Sequence, residues 1–210
     1  MSYSGRTLDA LKLAMDLHHE QRRKGTDIPY VTHLWAVASL IGEHGGTEDQ
    51  IIAALLHDCL EDQGDKITLG HIRDRFGNRV AEIVKGCTDA EVIPKPPWKM
   101  RKTRYLAHLR TAPSYVKLVS AADKLHNARA IVADLRREGA RFWDRFNAGP
   151  QDQMWYFRGL IREFRAGDAT RGKTKRDGLT HIVQELERAV DEMAALISRS
   201  ASGPRVRRRK

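Results

Sequence analysis

The chain has 210 residues, a net charge of +10 and 41% hydrophobic residues, which is enough for one domain with a core of its own. Its two cysteines, Cys59 and Cys87, sit inside apolar helical patterns; they exclude a disulfide framework and read as reduced, packed thiols. No apolar run approaches membrane-spanning length and no signal-peptide core opens the chain, which points by elimination to a cytoplasmic protein.

In chain order the pattern is helical almost throughout. Leu8, Leu11, Met15 and His18 predict one face of a first helix. The basic loop QRRKGTDIPY follows, with Arg22, Arg23 and Lys24 ahead of a Gly25-Thr26 turn. A second helix starts near His33 and runs through Trp35, Val37, Ala38 and Ile41 to a Gly45-Gly46 stop. Thr47-Glu48-Asp49-Gln50 is a capping box, and it opens a third helix, IIAALLHDCLED, apolar nearly all round and therefore central. Thr68 caps a fourth helix, stopped by Gly77, and Asn78 is expected to cap a fifth, where Val80, Ile83, Val84 and Cys87 repeat at helical spacing.

The proline-rich segment 89–99 reads as a loop. Helices are expected at about 98–110 and 113–134, shorter ones near 139–146 and 150–165, a polar break at 165–178, and a last amphipathic helix over 179–198. No strand is predicted. The expectation is an all-α bundle of about eight to ten helices, with a single domain over 1–200 and a basic tail over 201–210. The cations after Pro204 (Arg205, Arg207, Arg208, Arg209, Lys210) supply half the net charge; they form either a solvated tail or a contact for nucleic acid.

Chemistry concentrates in three places. His57 and Asp58 follow an Ala-Ala-Leu-Leu run, where burial is expected and where an ionisable side chain must be paired or metal-bound. Asp123 follows KLVSAA in a second apolar helix, with His126 and Asn127 one turn on and Lys124 and Arg129 adding positive charge. His33 stands at the first turn of its own helix. Imidazole and carboxylate together suit Mn²⁺, Fe²⁺ or Zn²⁺. Glu61 and Asp62 lie one helical turn beyond His57 and Asp58, placed to orient or deprotonate an attacking water. Two cationic clusters, the Arg23-Lys24 loop and Lys95, Lys99, Arg101, Lys102 and Arg104 with Trp98 and Tyr105 between them, suit a substrate with several phosphates. A solvated helix face is the alternative for the second cluster.

The series RRKGTDIPYVTH, ALLHDCLED, GCTDAEV and ADKLHNAR resembles the hydrolase domain of RelA/SpoT-type alarmone enzymes, above all their single-domain small alarmone hydrolases, over about residues 5–165. The resemblance implies a helical HD fold, one Mn²⁺ per chain, and removal of the 3′-pyrophosphate of (p)ppGpp, the alarmone of the stringent response. It implies His33, His57, Asp58 and Asp123 as metal ligands, Glu61 and Asp62 as the pair that activates water, Asn127 as a nucleotide contact, and Arg23 and Lys24 where the family stacks on the base. The family often has Thr where Ala130 stands, which leaves guanine against adenine open. The implied partner is a nucleotide; no membrane is expected, nucleic acid is disfavoured, and a homodimer stays open. Two other readings stand beside this one: an HD phosphohydrolase acting on 5′-phosphates, and a basic nucleic-acid-binding protein.

Overall fold

The computed structural model of the chain describes residues 3–90, 94–166 and 178–202. Most of the polar break at 165–178 and of the basic tail at 201–210 lies outside them. Among the described residues there are ten α-helices and one 3-10 segment: α1 (Gly5–His18), α2 (Val31–Glu43), α3 (Glu48–Leu56), α4 (Cys59–Asp62), α5 (Leu69–Phe76), α6 (Asn78–Cys87), α7 (Trp98–Thr111), α8 (Ser114–Glu138), the 3-10 segment Gly139–Arg145, α9 (Pro150–Arg165) and α10 (Gly178–Ser202). Among the described residues the only extended pairing is an isolated bridge between Arg22 and Pro29. The fold is all-α.

Local signals set most boundaries. Thr47 and Gln50 cap each other at the start of α3, and Thr68 with His71 does the same for α5. Gly45 and Gly139, both at positive φ, end α2 and α8 at little steric cost. Asn78 does not cap α6. Gly77, at φ +90°, holds the cap position, and Asn78 is the first helical residue.

The core is built round α3 and α8. Every residue of α3 from Gln50 to Leu56 is buried, and α8 buries thirteen positions from Val116 to Leu135. Each fully buried Leu or Ile is worth about 1.5–3 kcal/mol. α10 lies along α8 and α9 and closes the core with Ile182, Leu186 and Met193.

Two expectations change here. Helix α1 turns Ala10, Ala14, Leu17 and His18 inward, while Leu8 (68%) and Met15 (45%) are exposed and Leu11 is partly buried. Alanines four apart let α1 lie close on α3, so the small residues face in and the larger ones are left outside. The segment IIAALLHDCLED is also not one helix. It breaks at His57-Asp58, where Asp58 takes φ −98°, ψ −3°, before α4 begins.

Candidate metal centre

The break between α3 and α4 turns two adjacent side chains toward one point. His57 donates Nδ1–H to the Ala54 carbonyl (2.8 Å), which leaves the lone pair of Nε2 free. That nitrogen is buried, has no hydrogen-bond partner, and lies 3.0 Å from Asp58 Oδ2 and 3.7 Å from Asp123 Oδ1. His33, from the first turn of α2, brings Nε2 to 3.2 Å from Asp123 Oδ1 and 3.6 Å from Asp58 Oδ2. Ligating atoms of His33, His57 and Asp58 all lie within 4.8 Å of one another. Three helical segments thus bring the four sequence-predicted ligands together.

The electrostatics call for a cation. Burial by itself would raise the Asp123 carboxyl, but Lys124, His33 and His57 hold it well below the usual range. Burial would likewise raise Asp58, yet His57 and His33 keep it ionised. Burial would lower His57, and Asp58 with Asp123 outweighs it and lifts the imidazole well above its ordinary value. Two buried anions facing the otherwise unpartnered Nε2 of His57 form a donor set that fits a divalent ion.

A second layer orients these groups. Tyr30 donates its hydroxyl to Asp58 Oδ2 at 2.5 Å. The Nδ1 atoms of His33 and His126 lie 2.7 Å apart. Lys124 Nζ reaches Asp123 Oδ2, and Asn127 Nδ2 donates to Asp123 Oδ1, each at 2.5 Å. The sequence marks His126 and Lys124 only as neighbours of Asp123 and does not single out Tyr30. The signal was there: Tyr30 lies one turn ahead of His33, and His126 one turn beyond Asp123.

The two carboxylates beyond the break are differently held. Glu61 receives Lys95 Nζ at 2.9 Å and the Asp89 backbone N–H at 3.3 Å. Asp62 accepts from Gln21 Nε2 at 2.8 Å and sits 3.8 Å from Lys95. Burial, reinforced by Asp58, pushes Asp62 up to about 6. It is poised to exchange a proton near neutrality.

A cleft of about 470 Å³ opens beside this centre. Arg23, Lys24, Lys102, Lys124 and Asn127 line it, with an apolar end made by Ala130, Phe142, Phe146 and Phe157. Arg23 donates to Asn127 Oδ1 (3.0 Å), linking the basic loop to Asp123 through one amide. Lys24 sits over the Phe146 ring. The second cluster divides. Lys102 faces the cleft, whereas Lys99 pairs with Asp152 and lies over Trp155, and Arg101 turns to Asp89; neither lines the cleft. Arg129 pairs with Glu185, away from Asp123.

The model of a family described as HD domain matches residues 10–154. This chain belongs to the HD-domain family. Within that family it is similar to a guanosine-3′,5′-bis(diphosphate) 3′-pyrophosphohydrolase, MESH1 of Xenopus tropicalis: 37% identical over 139 residues, covering 65% of this chain and 73% of the relative. The human MESH1 is 35% identical over 133 residues, 62% of this chain and 72% of the relative. The crystal structure of lmo0812 from Listeria monocytogenes EGD-e matches with a TM-score of 0.64 and 27% identity over 76% of this chain and 99% of that one. A metazoan ortholog of SpoT, described as hydrolysing ppGpp, shares the fold with a TM-score of 0.66 at 24% identity, covering 90% and 97% of the two chains.

Proposed function

We propose that this HD-domain protein hydrolyses the 3′-pyrophosphate of alarmone nucleotides such as (p)ppGpp or (p)ppApp, releasing pyrophosphate and a nucleoside 5′-phosphate. One observation carries the reading: the His33, His57, Asp58 and Asp123 set converges beside a carboxylate pair, next to a cleft lined with separated cations and an apolar end. Relatives at 35–37% identity that bear this activity in their names support it.

The ion we infer is Mn²⁺, one per chain, held by His33, His57, Asp58 and Asp123; mixed imidazole and carboxylate donors suit it. When bound, such an ion neutralises phosphate oxygens and lowers the pKa of a coordinated water. Glu61 or Asp62 takes the proton from the attacking water. The water oxygen bonds to the phosphorus on the 3′ oxygen, that P–O bond breaks, and the 3′ oxygen leaves with the nucleoside, taking up a proton from solvent to become the 3′-hydroxyl. Lys102 and Lys124 offset the negative charge of the pyrophosphoryl oxygens in the transition state. Arg23 and Lys24 stand where the base would rest, and Asn127 holds Arg23 in place. Ala130 offers the base no hydrogen-bond partner, which favours an enzyme that accepts both purines.

A cytoplasmic place suits this reading, because Cys59 and Cys87 are buried free thiols. Among the described residues no helix is long and apolar enough to cross a membrane.

The test is a nucleotide panel with Mn²⁺-loaded protein and chromatographic identification of products. Pyrophosphate released from 3′-pyrophosphorylated substrates is the expected result. Orthophosphate alone, or action only on 5′-phosphates, would replace this reading with a generic HD nucleotidase.

A further inference from the structure

Asp89 lies in the loop after α6, and its side chain is 6% exposed. It is joined to two groups of the site, Lys102 and Glu61, and to Arg101 outside the cleft. Its Oδ2 accepts from Lys102 Nζ at 2.7 Å and also from the Arg101 guanidinium. Its backbone N–H donates to Glu61 Oε2 at 3.3 Å. Its other oxygen, Oδ1, is buried with no hydrogen-bond partner among the described residues. A buried acceptor is seldom left unpaired. Here both cations crowd onto one oxygen, and the second oxygen goes unused.

The three cations nearby have different outlooks. Lys102 faces the cleft, with its ammonium 5.0 Å from the Tyr156 ring centroid. Arg101 does not face the cleft; its Nε donates to the Pro96 carbonyl at 3.1 Å, and its Nη1 already lies 3.9 Å from Glu61 Oε1. Lys95 pairs directly with Glu61 at 2.9 Å. Remove the Asp89 charge, and among the described residues Glu61 becomes the nearest anion left to Arg101. A carboxylate gripped by a guanidinium is a poorer base, because charge-assisted hydrogen bonds favour its ionised form.

We propose that Asp89 is a positioning residue: it presents Lys102 to the substrate's pyrophosphate and holds Arg101 off Glu61. The inference rests on the function proposed above, and it assigns Asp89 two separable effects. One acts on phosphate affinity through Lys102, the other on turnover through Arg101 and Glu61.

The test compares wild type with Asp89→Ala, Asp89→Asn, Lys102→Ala and the doubles Asp89→Ala/Lys102→Ala and Asp89→Ala/Arg101→Ala, all Mn²⁺-loaded. Calorimetry reads the Kd of inorganic pyrophosphate, and steady-state kinetics reads kcat on a 3′-pyrophosphorylated nucleotide. Asp89→Ala is expected to weaken pyrophosphate at least about tenfold, the scale of losing a charged hydrogen bond, and Lys102→Ala on top of it should add less than about twofold. Its kcat should fall about tenfold or more, and removing Arg101 in that background should recover most of the loss. A merely structural Asp89 would not produce that recovery. Should Asp89→Ala fail to fold, the isosteric Asp89→Asn carries the same two readings. The proposal is overturned if the Kd stays within about twofold of wild type, if the Lys102 effect is additive, or if removing Arg101 restores nothing. If wild type cleaves no 3′-pyrophosphate, the functional reading falls, and the pyrophosphate Kd still decides the Lys102 half.

Discussion

The Nδ1 atoms of His33 and His126 approach to 2.7 Å across the gap between α2 and α8. One of them must carry the proton. His33 Nε2 faces Asp58 and Asp123 and needs its lone pair there, so the proton belongs on His33 Nδ1 and His126 accepts it. Burial, with His33 and Arg23 adding to it, holds His126 down to about 4, so it is a neutral acceptor at neutral pH. His126→Ala is expected to weaken Mn²⁺ binding by about 10–100-fold with the helical fold retained. Metal titration calorimetry and circular dichroism check both halves, and unchanged affinity would show that His33 needs no such partner.

Tyr30 serves Asp58 in the same way. Burial and the Asp58 and Asp62 charges raise its hydroxyl well above the ordinary value, so it stays a donor throughout the working pH range. Tyr30→Phe removes that one donor and keeps the ring stacked on His18. We expect an affinity loss of about tenfold and almost no change in Tm. A large Tm drop with normal metal affinity would make Tyr30 a packing residue instead.

Glu61→Gln and Asp62→Asn each keep size and remove a base. At least one should bind Mn²⁺ normally while losing on the order of 10²–10⁴ in kcat. Normal turnover in both would put the base elsewhere.

Asp62 also has a consequence for stability. Its ordinary value is 3.8, and burial with Asp58 lifts it to about 6 in the fold. Between those values the native state holds more protons than the unfolded chain, so stability falls as pH rises through that window. The ionised carboxylate is therefore a cost at pH 7. In the presence of a chelator, Asp62→Asn should be more stable than wild type by about 1–3 kcal/mol at pH 7, with the difference vanishing below about pH 4. Thermal melts across that range measure it; a variant less stable at every pH would refute the sign.

Gly86 lets α6 approach α8. A Cβ there would meet Val116 Cγ1 at 2.6 Å, inside a packed interface. Gly86→Ala should cost about 1–3 kcal/mol and lower Tm by several degrees. A melting temperature equal to wild type would mean that the interface yields freely.

Much of this protein was legible in one dimension. Apolar spacing at three and four residues marks the helices, because that period is a property of neighbours along the chain. The Thr47–Gln50 capping box is as local, and it forms as read. The ligand types were visible too, since His57, Asp58 and Asp123 each interrupt an apolar run where an unpaired charge is too expensive to bury. Other features depended on what packs against what. The inward face of α1 was settled by close approach to α3, which selects Ala10 and Ala14 over Leu8 and Met15. The break after Leu56 let His57 and Asp58 converge, where one continuous helix would have splayed them. Lys99, Arg101 and Lys102 read alike in sequence, yet Asp152, Asp89 and the cleft gave them three different outlooks. A cation's partner is the nearest buried anion in space, and only the packing of α7 on α9 and on the loop after α6 decided which anion that was.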